Sequence, residues 1–152
     1  MNEQIYPIIP STGAIYRMLV PLMLILLGSG GLVGYAAWAS RHVRFLVSEN
    51  GIRIAGGLYG RSVPARELVL DQARAANLKQ DPDLRLALRT NGIGMPGYRA
   101  GWFRLGNGTK GLAFVTDATR VAAMPTTAGY TLLMSVADPD GFIRDARARM
   151  RR

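Results

Sequence analysis

From Met18 to Ser40 the chain is an unbroken apolar run without one charge, and no polar face recurs along it. A helix over Met18 to Ala39 rises about 33 Å, against a hydrocarbon core of roughly 30 Å. A soluble helix of that length carries a polar stripe, so the pattern predicts a transmembrane helix. Arg17 and the cluster Arg41, His42 and Arg44 bracket the run, and Tyr35 and Trp38 stand toward one end, as interfacial residues do. Pro21 is expected in the first turn or so, where its missing N–H costs little. Residues 1–17 then form a tail, 18–40 the span and 41–152 a domain. Cleavage is the rival reading, because Ala37-Trp38-Ala39 has the small-x-small form of a signal-peptide site. The run is about twice the length of a usual signal-peptide core, which favours a permanent anchor.

Beyond the span the period falls to two. Phe45 and Val47 alternate with Arg44 and Leu46, Glu49-Asn50-Gly51 marks a tight hairpin, and Ile52 and Ile54 flank Arg53. Further strands are predicted over Leu58 to Val63, Leu84 to Arg89, Tyr98 to Leu105, Leu112 to Thr116, Arg120 to Met124 and Tyr130 to Val136. Glu67 to Leu78 stays open between strand and helix, because its alanines suit either. The last segment returns to a helical period. Asp138 is an N-cap, Pro139 a first helical residue, and Phe142, Ala146 and Met150 fall on one face. The expected architecture is one N-terminal transmembrane helix and a mainly-β domain of about seven antiparallel strands, closed by a C-terminal α-helix.

The chain resembles the bacterial pleckstrin-homology-like (PH-like) family of small membrane proteins. The residues that carry the resemblance are Arg89-Thr90-Asn91-Gly92-Ile93-Gly94-Met95-Pro96-Gly97-Tyr98, Gly101-Trp102-Phe103-Arg104-Leu105, Asn107-Gly108, Phe114-Val115-Thr116-Asp117 and Asp138-Pro139 before Phe142-Ile143. It covers most of residues 43 to 146 and implies a PH-like barrel. As an expectation, it also implies a binding or scaffolding module at a bacterial inner membrane that docks a protein partner at sheet edges and loops.

Charge adds little to this. The chain of 152 residues carries 19 basic and 10 acidic residues, a net of +9. Only Glu3 and Arg17 precede the span, so the whole excess rides on the domain. Such a balance favours anionic partners, and a GC-rich coding sequence also produces arginine richness; both readings stand. The excess of Arg41, Arg44 and Arg53 over Arg17 predicts a cytoplasmic domain. With no cysteine, disulfides and thiol chemistry are excluded.

Apparent motifs have structural explanations. Gly92-x-Gly94-x-x-Gly97 matches a dinucleotide pattern by letter, but Pro96 and a following strand take the place of the required helix. Asp81-Pro82-Asp83 and Asp138-Pro139-Asp140-Gly141 read as turn and cap chemistry. His42 alone makes no metal site, and the hairpin explains Asn107-Gly108-Thr109. Neither enzyme activity nor a cofactor is expected, for want of a convergent nucleophile, base and acid. The candidate partner- or lipid-binding residues are Arg41, Arg44, Arg53 and Arg61. An electrostatic sensor of anionic lipid headgroups is the alternative function. Gly30 and Gly34 are a candidate helix–helix contact and make a homo-oligomer one reading. Trp102, Tyr98 and Phe103 are expected in core and turn positions, which disfavours nucleic acid as a partner.

Overall fold

A computed structural model describes residues 12–150. The chain divides into two compact units, Met1–Tyr35 and Ala36–Arg152. The predicted span lies within helix α1, Thr12–His42. Residues Ile15–Tyr35 are long and apolar enough to cross a membrane, and none of that window is buried against the chain. Within the run the Ser29 hydroxyl is satisfied internally, its Oγ donating to the Ile25 carbonyl at 2.5 Å. Because α1 begins at Thr12, Pro21 lies in the helix interior and not in its first turn. There it removes one intrahelical bond and crowds the Arg17 carbonyl. At the other end His42 Nδ1 lies 2.6 Å from the Trp38 carbonyl, and the two rings stack at 4.5 Å. The tail, residues 1–17, lies outside the described residues as far as residue 11.

Among the described residues the second unit holds nine strands, more than the seven or so expected. β1 (Arg44–Ser48), β2 (Gly51–Ala55) and β3 (Ser62–Pro64) form a three-stranded antiparallel sheet in that order. Phe45, Val47, Ile52 and Ile54 point to one face, as their alternation requires. The hairpin turn is confirmed at Glu49-Asn50, with the positive φ carried by Gly51 alone (+138°). β3 is shorter than expected because Gly56 and Gly57, at φ +91° and +74°, bend the chain after β2.

The open stretch Glu67 to Leu78 is neither a helix nor a single strand. It makes 3-10 turns at Ala65–Glu67 and Leu70–Gln72 and then the short strand β4, Arg74–Ala76. Its buried residues Leu68, Ala73, Ala76 and Leu78 follow no fixed period. β5 (Leu86–Met95), β6 (Tyr98–Leu105), β7 (Lys110–Val115), β8 (Val121–Pro125) and β9 (Tyr130–Ser135) complete a second sheet, ordered β4-β8-β9-β7-β6-β5. Pro96-Gly97 turns β5 into β6, with Gly97 at φ +77°, the Pro–Gly order of a type II turn.

Two corrections follow. The strands are not all antiparallel, because β9 inserts beside β7 in parallel and places β8 outside it. Nor do they close into one barrel: among the described residues no ladder joins the two sheets. β3 ends at Pro64, which cannot donate to a further ladder, and the 3-10 turns then carry the chain to the edge of β8.

The central strands β7, β8 and β9 are buried on both faces, so Leu112 to Val115, Val121 to Met124 and Leu132 to Met134 are continuous apolar runs. One face packs Phe103, Leu105, Ala113, Val115, Val121, Ala123 and Leu133 under Leu78 and Leu84. On the other, Phe45 meets Phe114 and Phe142 edge-on at 6.2 and 6.4 Å. Phe142 belongs to α2, Pro139–Met150, which packs on β1, β4 and β8. As predicted, Asp138 caps it, its Oδ1 accepting from Gly141 N at 2.9 Å. Ile143 joins Ala146 as a buried anchor. Arg147 is a tie rather than a free cation, its Nε and Nη2 donating to the Leu70 and Ala73 carbonyls, both at 2.9 Å.

Candidate functional site

The four arginines singled out from sequence do not form one site. Arg41 lies in α1, with a side chain outside the described ones. Arg44 and Arg53 are diagonal neighbours on the outward face of the three-stranded sheet, because Arg44 pairs with Ala55 and Leu46 with Arg53. Leu46 lies between them and is 52% exposed. Arg61 departs from this group. It precedes β3 and its carbonyl accepts from Ile54 N at 2.8 Å. Its guanidinium carbon sits 5.7 Å from the Trp102 ring and 5.9 Å from that of Tyr130. In α1, Gly30 and Gly34 have open space at the Cβ position, one turn apart.

Arg61 leads to a cleft of about 400 Å³ lined by Thr90, Asn91, Trp102, Arg104, Lys110 and Tyr130, among others. A register shift between Arg89 and Asn91 shapes one wall. The inserted Thr90 turns its Oγ1 onto the Trp102 carbonyl at 3.0 Å, and Asn91 Oδ1 accepts from the Tyr59 hydroxyl at 3.1 Å. Such bulges re-aim side chains that a regular ladder would alternate. Trp102 is only half-buried and meets Tyr130 edge-on at 5.2 Å. Tyr130 is fixed from behind by the turn before it, where Thr126 Oγ1 donates to the Tyr130 carbonyl at 2.7 Å. Trp102 therefore belongs to an open cleft and not to the core, while Tyr98 and Phe103 are buried as expected.

The electrostatics are one-sided. Arg104 and Lys110 stand directly opposite one another on β6 and β7, a like-charge pairing that destabilises a sheet. Arg61 stands over the Trp102 and Tyr130 rings beside them, and no carboxylate lines the cleft. Burial raises the Tyr130 phenol above its ordinary value; Arg61 opposes this and Glu67 adds to it, so the ring stays a neutral hydrogen-bonding group. Among the described residues no group of three or more His, Asp or Glu side chains could hold a metal ion. Sequence reasoning missed Trp102, Tyr130 and Lys110 as a set. The signal available was Trp102 two residues from Arg104, and so on the same face of its strand.

No family model matches the chain, and neither a curated protein nor a solved structure matches it.

Proposed function

We propose that this chain is a membrane-anchored, non-catalytic binding module that docks an acidic protein segment in the Arg61–Trp102–Tyr130 cleft. The observation that carries it is the cleft's composition: an aromatic wall, two lining cations, Arg104 and Lys110, with Arg61 stacked over that wall, and no carboxylate in the lining. A peptide with acidic residues around one apolar or aromatic side chain complements both features. α1 restricts the module to a bilayer surface, which we take to be a bacterial inner membrane with the domain in the cytoplasm. Kinship with PH-like domains is part of the same reading, supported by the terminal helix packed on a mainly antiparallel domain. The parallel β7–β9 pair is its main departure.

The test places a photocrosslinking residue at Trp102 or Arg144 of the full chain in native membranes. A protein adduct is expected from position 102, lost on Arg61→Ala and absent from position 144, an exposed position of α2. Adducts with the chain itself alone would overturn the proposal. A reporter fused to the C-terminus checks the orientation, and a signal from outside the cytoplasm would overturn that part.

The Arg44–Leu46–Arg53 face supports a second reading, an electrostatic sensor of anionic headgroups. Arg44 follows α1 by two residues, about 7 Å of chain at most. Basic residues there contribute about 1 kcal/mol each near an anionic leaflet.

A further inference from the structure

We propose that a second cleft, between the 77–86 segment and the β6–β7 edge, binds a phosphate monoester through Lys79, Arg85 and Arg99. Its volume is about 440 Å³, inside the roughly 300–1,000 Å³ of small-molecule sites. The three cations come from three places: Lys79 from the loop after β4, Arg85 from the residue before β5, and Arg99 from β6. All are exposed, and among the described residues none makes an ion pair or side-chain hydrogen bond.

Two nearby carboxylates are committed elsewhere, and Asp83, on the same loop, is not among the lining residues. Asp117 lines the cleft, but its Oδ1 accepts from the Thr119 amide and hydroxyl at 2.9 and 2.6 Å, and its Oδ2 from Arg120 Nε at 3.0 Å. Asp81, on the loop between Lys79 and Arg85, takes Arg74 Nη2 at 2.5 Å and the amides of Asp83 and Leu84. The cleft thus keeps a positive excess that the chain itself leaves unmatched.

Its backbone is already fixed. Lys79 N donates to Asn77 Oδ1 at 3.0 Å, Leu78 N to the Ala118 carbonyl at 2.7 Å, and Gly106 N to the Arg85 carbonyl at 2.9 Å. Arg99 is held in the ladder between Gly94 and Val115. Binding therefore orders side chains only, which limits its entropic cost. A phosphate monoester offers three acceptor oxygens and close to two negative charges near neutral pH, with a second pKa of about 6. Two guanidinium forks and an ammonium suit that chemistry, and the Thr116 hydroxyl adds a donor at the wall.

The experiment uses the full chain in nanodiscs of phosphatidylcholine, titrated calorimetrically with glycerol 3-phosphate. Binding is expected, strengthening from pH 5 to pH 7.5 as the ligand gains its second charge. Arg85→Gln and Arg99→Gln should each weaken it by about tenfold or more. Arg144→Gln, an exposed arginine of α2, should leave it unchanged. Discs containing phosphatidic acid separate the two sources of the group: competition against glycerol 3-phosphate assigns the site to a lipid headgroup, and its absence assigns it to a free metabolite. The inference is overturned if neither glycerol 3-phosphate nor phosphatidic acid binds, or if Arg144→Gln weakens binding as much as the cleft variants do. Near-ultraviolet circular dichroism of each variant establishes that the loss is not unfolding.

Discussion

Replacing Asp138 by alanine takes away the acceptor for Gly141 N and leaves the first turn of α2 without its side-chain cap. The expected loss is about 1 kcal/mol, read as a lower thermal midpoint of the full chain. Asp117 is tuned by its surroundings. The Thr119 hydroxyl, the Thr119 amide and Arg120 hold its carboxyl down to about 2, against an ordinary value of 3.8. A folded-state pKa below the unfolded one contributes stability above pH 4 and loses it as pH falls toward 2. Asp117→Asn should therefore flatten the stability profile between pH 4 and pH 2, measured by chemical denaturation. For Asp81, burial pushes the carboxyl up, but the Arg74 hydrogen bond and the amides of Leu84 and Asp83 outweigh it and leave it lowered. The cap at Asp138 was legible because its partners lie within one turn of chain. The cleft at Trp102 was not, because it depends on a bulge at Thr90 and on Arg61 arriving from the other sheet.

At the scale of elements, α1 and the β1–β2 hairpin were the most readable parts. Each is written in a short stretch of sequence: an uncharged run in one, an alternating pair around Glu49-Asn50-Gly51 in the other. An arginine at Leu24, in the middle of the apolar run, should cost about 2.5–3.5 kcal/mol of insertion. The expected outcome is a larger soluble fraction after alkaline extraction of membranes. Gly51 reads differently, as a φ of +138° with the carbonyl of Val63 pressed against any added Cβ. Gly51→Val should destabilise the three-stranded sheet by at least the 1–2 kcal/mol of backbone strain, seen as early loss of amide-exchange protection in β2. The Glu67 to Leu78 stretch resisted assignment for a physical reason. Its backbone bonds alternate between local 3-10 turns and the edge of β8, as where Val69 N reaches the Pro125 carbonyl. No single period describes a segment that serves two partners.

For the whole molecule, a net charge of +9 is met by two ion pairs among the described residues, Arg74–Asp81 and Arg120–Asp117. Self-repulsion then works against compactness, so raising sodium chloride from 20 to 300 mM should raise the thermal midpoint; a fall would contradict the charge argument. Composition foretold the charge but not its distribution over two clefts and one outward face, since that follows from strand order. The strand order also governs how the domain is made. β9 is the seam of the large sheet: β7, β6 and β5 lie to one side of it, β8 and β4 to the other. In chain order β9 follows every other strand of this sheet, so neither half has its central partner until Ser135 has left the exit tunnel. The large sheet therefore waits on a late, non-local pairing, and its two halves stand with unpaired inner edges until β9 is made.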